Sequence, residues 1–182
     1  MACDLTIGRK EPCKDVVGGI QKVFFTDFGD LGTVTQTNDE ITDASGTFTA
    51  FEYVVKGNSS FEQTITSSRE TGTTYFEQTL NLTLKKLSKE DNKELKLMAY
   101  GRPHICVLDN NNNAFLMGLE HGCDVTGGTI VTGGSMSDLS GYTLTFTAME
   151  VLPANFISGA TAANPYAGLS SATETITVGT NS

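Results

Sequence analysis

The chain has 182 residues, of which 38% are hydrophobic and only 18% charged, with no Trp and a formal charge of −9. A chain of this length folds as one domain that buries roughly 70% of its unfolded surface. Its wealth of Thr, Gly, Ser and Asn suits an extended β protein and argues against a helical bundle, and its acidity, with no run of Lys and Arg longer than a pair, argues against a protein that grips nucleic acid.

The opening "ACDLTIGRKEPCKD" offers no apolar stretch for a signal peptide, and no run of about 18 apolar residues follows to span a membrane. The expectation is a soluble protein made in a cytosol, with Cys3, Cys13, Cys106 and Cys123 reduced and spaced unlike any C-x₂-C knuckle.

Residues 20–28, "IQKVFFTDF", read as an early strand ending at a Gly29-Asp30 turn. "TFTAFEYVV" (47–55) is a second strand with apolar residues on both faces, so it should be covered on each side. The repeated FEQT at 61–64 and 76–79 fits two partnered strands in one long hairpin. Phe61, Gln63 and Ile65 alternate with Glu62, Thr64 and Thr66, and Phe76, Gln78, Leu80, Leu82 and Leu84 alternate with Glu77, Thr79, Asn81 and Thr83. The apolar sets align only if paired numbers sum to an odd value, which a turn at Glu70-Thr71 or Thr71-Gly72 provides.

"LSKEDNKELKLMAYGRP" (87–103) predicts a helix over about 88–100. Ser88 is its N-cap, acids at Glu90 and Asp91 complement its dipole, Leu95, Met98 and Ala99 form its apolar stripe, and Gly101 stops it. "HICVL" and "AFLMGLEHG" are apolar on both faces. "VTGGTIVTGGS" and "SDLSG" then punctuate the chain before a clean strand, "YTLTFTAMEV". From Pro153 the composition shifts to Ala, Gly, Ser, Thr and Asn, which reads as an arm, with a short strand at "ETITVGT".

"DNNNNAFLMGLE" (109–120) imitates an EF-hand loop, with Asp109, Asn111, Asn113 and Glu120 as candidate calcium ligands. Its sixth position is Ala114 where the sharp turn wants Gly, and no helix enters it, so the segment reads as a hairpin tip. His104 and His121, in "HIC" and "HGC", are the zinc candidates. A turn over Asn110–Asn113 makes paired residues sum to 223. That places His104 opposite Leu119 and leaves Cys106 and Cys123 about 20 Å apart, so ordinary packing is the preferred reading. "GGSMSDLSG" lacks the second Gly of a nucleophile elbow, and the doubled TGG has no Lys to make a phosphate loop. No catalytic set emerges, and an enzyme is not expected.

Residues 75–128, "YFEQTLNLTLKKLSKEDNKELKLMAYGRPHICVLDNNNNAFLMGLEHGCDVTGG", and 139–154, "LSGYTLTFTAMEVLPA", together 70 of the 182, resemble the tail tube proteins of tailed bacteriophages. They look most like those of phages and prophages of Bacteroidetes bacteria, and are distantly similar to the type VI secretion tube protein. The resemblance implies a mainly β fold, an antiparallel barrel or sandwich flanked by one helix. Residues 1–152 would form the tail-tube-like domain and 153–182 a C-terminal arm. It further implies hexameric rings stacked into a hollow tube that conducts DNA into the host, with strands of six subunits forming one barrel around the bore. Implied partners are copies of itself, a tape-measure protein, baseplate and tail terminator proteins, and a sheath if the tail contracts. Localisation would be the virion tail after synthesis in the bacterial cytoplasm; no cofactor or membrane is implied.

On this reading Glu62, Thr64, Thr66, Glu77, Thr79, Asn81 and Thr83 line the lumen, and loop 29–46 and the tail 153–182 make inter-ring or outer contacts. The alternative is another virion component, such as a capsid decoration protein. A carbohydrate-binding module is disfavoured by the missing Trp and the inward alternation of the aromatics.

Overall fold

A computed structural model describes residues 7–10, 13–56 and 58–179; Cys3 and half of the segment read for a signal peptide lie outside them. The first half contains β1 (Ile20–Thr26), β2 (Val34–Thr37), β3 (Glu40–Ala44), β4 (Thr47–Val54), β5 (Ser60–Ser68) and β6 (Thr73–Lys85). After α1 (Lys89–Tyr100) come β7 (His104–Asp109), β8 (Ala114–Met117), β9 (Asp124–Val131), β10 (Gly141–Glu150), β11 (Asn155–Ile157) and β12 (Thr173–Val178). They build two sheets, one ordered β12-β4-β1-β7-β8-β11-β3-β2 and the other β5-β6-β10-β9. Neither closes into a barrel; the fold is a β-sandwich with one helix.

The large sheet carries a core on each face. Val23, Phe25, Ile105, Val107 and Met117 meet Leu80, Leu82, Phe146 and Ala148 of the small sheet. On the far side Phe24, Cys106 and Leu108 pack with Ile41, Phe48, Ala50, Tyr166 and Leu169. This is why "KVFF" and "HICVL" are apolar at consecutive positions: both faces of the central strands are covered.

The long hairpin pairs as expected, with Phe61 opposite Leu80 and Ile65 opposite Phe76, a register that centres the turn on Glu70-Thr71. Ser88 caps α1, its Oγ accepting from Asp91 N at 3.0 Å. The buried Tyr142 hydroxyl pins the cap by donating to Ser88 O and accepting from Ser88 N.

Four expectations need correction. Residues 153–179 are not an arm: β11 pairs with β8 and β3, β12 runs parallel to β4, and Tyr166 and Leu169 are buried at 1% and 4% exposure. Ser171 fastens this segment by donating its N and Oγ to Asp43, 2.9 and 2.6 Å away.

Loop 29–46 contains the hairpin β2–β3, turned by Asn38 and Asp39, both with positive φ (54° and 60°) as a type I′ turn requires. "VTGGTIV" is not punctuation but strand β9, kinked by a bulge opposite Thr145/Phe146. Gly128 is required there, because a Cβ would meet Thr143 O at 2.6 Å. Finally, β7 and β8 pair with numbers summing to 222, as in Cys106 opposite Leu116. The turn is three residues long and includes Asn112 at φ 63°, so the one-residue change sets His104 beside Gly118.

Candidate functional site

Alternation along β5 and β6 gives the small sheet a second face that, among the described residues, joins neither hydrophobic core. Glu62 pairs with Thr79, Thr64 with Glu77 and Thr66 with Tyr75, while Asn81 and Thr83 pair across to Thr145 and Thr143 of β10. All seven residues assigned to a lumen therefore share one face. The structure adds Thr143, Thr145 and Thr147 of β10 and Thr126, Thr129 and Asp124 of β9. The β10 threonines were visible in "YTLTFTAME"; those of β9 were hidden by its glycines.

The hydroxyls bond laterally. Thr145 Oγ1 donates to Asn81 Oδ1 at 3.0 Å, and the hydroxyl pairs Thr126–Thr147 and Thr129–Thr143 lie 3.0 and 2.5 Å apart. Strand parity puts the carboxylates of Glu62, Glu77 and Asp124 on this face, with Lys85 at one end.

The lateral edges of this sheet, β5 and β9, pair with no further strand among the described residues. Neither contains Lys, Arg or Pro. Ile65 and Ile130, each on the core-facing side of its edge, are 65% and 63% exposed. β5 runs without a bulge and is the more open template for an added strand, whereas the bulge in β9 twists its edge.

The FEQT repeat has a structural explanation. Gln63 and Gln78 face each other in register on the inner face. Gln63 Oε1 accepts from Ala154 N at 2.8 Å, Gln78 Nε2 donates to Leu152 O at 3.4 Å, and Gln78 Oε1 accepts from Gly118 N at 3.0 Å. The pair stitches the crossing between the sheets.

The metal candidates separate. At the hairpin tip Asp109 accepts from the backbone and side-chain nitrogens of both Asn111 and Asn113, at 2.7–3.3 Å. Burial alone would raise its pKa, but these donors outweigh it and hold the carboxyl below its ordinary value. The asparagines thus present N–H groups where calcium ligation needs oxygens, and Glu120 lies beyond the other end of β8.

His104 is structural. Its Nδ1 bonds Gly118 O at 2.7 Å, Nε2 accepts from Gly29 N at 3.1 Å, and Phe28 stacks on its ring. Burial lowers its pKa, consistent with a neutral ring donating through Nδ1.

His121 meets a different group. Its Nδ1 lies 3.0 Å from Oε2 of Glu150, a carboxylate on a residue only 4% exposed, whose Oε1 accepts from Glu120 N and His121 N at 3.1 and 2.9 Å. The hydrogen bond to Glu150 raises the His121 pKa. Glu120, His121 and Glu150 each place a ligand atom within 4.8 Å of the others. Sequence reasoning missed Glu150, which is 29 residues from His121 and carries no local signal.

Among the described residues no helix is long and apolar enough to cross a membrane. Comparison of the chain with known protein families, with curated proteins and with solved structures returns no match to any of them.

Proposed function

We propose that the protein is a self-assembling structural subunit, a tube protein of a phage tail, whose small sheets join edge to edge around a bore lined by the Thr-, Asn- and Glu-rich face. The observation that carries this reading is the pairing of that wet face with two lateral edges that meet no further strand among the described residues. Adding a strand at β5 or β9 would satisfy exposed backbone groups and cover Ile65 or Ile130, while leaving the polar face open.

The dimensions agree with a conduit. Six copies of a four-stranded sheet supply 24 strands. At about 4.8 Å per strand the backbone ring is about 37 Å across, and tilt widens it further. Inward side chains then leave a bore of roughly 25 Å or more, which admits a DNA duplex. Three acids against one lysine per copy keep DNA from binding the wall by counterion release.

Negative-stain microscopy of the purified full chain tests the reading. Rings or hollow rods are expected, and Ile65→Lys should prevent them without altering the circular dichroism spectrum. A monomer or trimer at high concentration would overturn the assignment and favour a capsid decoration role. In assembled tubes, a Glu77→Cys variant should resist reagents too large to enter the bore.

A further inference from the structure

We propose that Glu120, His121 and Glu150 form a binding site for a divalent transition metal, at the junction where β10 leaves the small sheet. The inference stands apart from the tube reading and uses none of the polar face.

The loop between β8 and β9 doubles back through two glycines of positive φ, Gly118 (71°) and Gly122 (76°). A side chain at Gly122 would meet Arg102 O at 2.8 Å, so the loop takes this path only with glycine. The backbone N–H groups of Glu120 and His121 consequently converge on Oε1 of Glu150 and fix its orientation. Oε2 is left facing His121 Nδ1. A carboxylate held this way by backbone donors has the outer support that metal-bound carboxylates need.

The spacing fits an ion. Zinc-type bonds of about 2.0–2.2 Å in tetrahedral geometry separate ligand atoms by about 3.3 Å. Nδ1 and Oε2 stand 3.0 Å apart, sharing the proton that an ion would replace. The Glu120 carboxylate, on an exposed flexible stem, closes the remaining gap from within 4.8 Å. One imidazole and two carboxylates match zinc, cobalt or nickel better than calcium, which takes six to eight oxygens. Both Glu120 and His121 are exposed, so water completes the coordination sphere.

Cobalt(II) titration of the full chain tests this, in a Cys3→Ser/Cys13→Ser background that removes competing thiols. One equivalent should bind, giving visible d–d absorption without a thiolate charge-transfer band. His121→Ala should weaken binding by roughly tenfold or more, and Glu120→Gln by less. Both substitutions lie on the surface and should leave the circular dichroism spectrum unchanged. No binding at millimolar cobalt, or affinity unchanged in His121→Ala, would overturn the site.

Discussion

The two sheets treat their faces differently. The large sheet is packed on both sides, and its central strands carry apolar residues at consecutive positions. Among the described residues the small sheet joins a hydrophobic core on one side only, and threonine dominates the other side of β10. Threonine is β-branched and so stiffens an extended strand, yet its hydroxyl tolerates water. That combination keeps a wet face rigid without committing it to the core. The difference teaches where stability resides and where surface remains for interaction.

The sharpest way to break this contrast is to empty each core in turn. Phe24→Ala on the far side of the large sheet and Phe146→Ala between the sheets should each cost about 3–5 kcal/mol, read by urea denaturation. A single cooperative transition is expected in both, since β1 and β7 contribute to both clusters. Separate melting of the sheets would contradict it.

Next in size, Gln78→Ala leaves the Gly118 N–H buried without its acceptor and should cost about 1–3 kcal/mol. Gln63→Ala, at the more exposed edge strand, should cost less. Ser88→Ala removes the α1 cap and should cost about 1 kcal/mol. On the open face, Thr147→Val should change stability by no more than about 0.5 kcal/mol, which separates it from every inner-face variant.

A pH series sharpens the junction between the sheets. The pKa of His121 is raised in the fold, so the stability it contributes is fully present below its unfolded value near 6.5 and fades as pH rises through the folded value. The melting-temperature gap between the native chain and His121→Ala should therefore narrow from pH 6 upward. A constant gap would deny the Glu150 partnership.

What the sequence made legible was local. The β5–β6 register followed from period-two alternation, and α1 from Ser88, its acidic first turn and Gly101. What stayed hidden depended on distant partners. β9 carries Gly128 because the Thr143 carbonyl approaches it, a neighbour that nothing nearby reveals. The β2–β3 turn uses Asn38-Asp39 with no glycine to mark it. Tyr166 and Leu169 are isolated apolar residues in a polar stretch, so no periodicity announced their burial. At the candidate site, the shared polar face of β5 and β6 was readable by parity, whereas the carboxylate opposite His121 was not.

Among the described residues, the three residues of β11, Asn155–Ile157, are the only link in the hydrogen-bonded order between β3-β2 and the five strands from β12 to β8. The larger layer is therefore joined only when residues 155–157 are in place, and β12 closes against β4, a partner more than a hundred residues upstream. Such late, long-range closure slows maturation. It also leaves β2 and β3 without their place in the larger layer until β11 has docked.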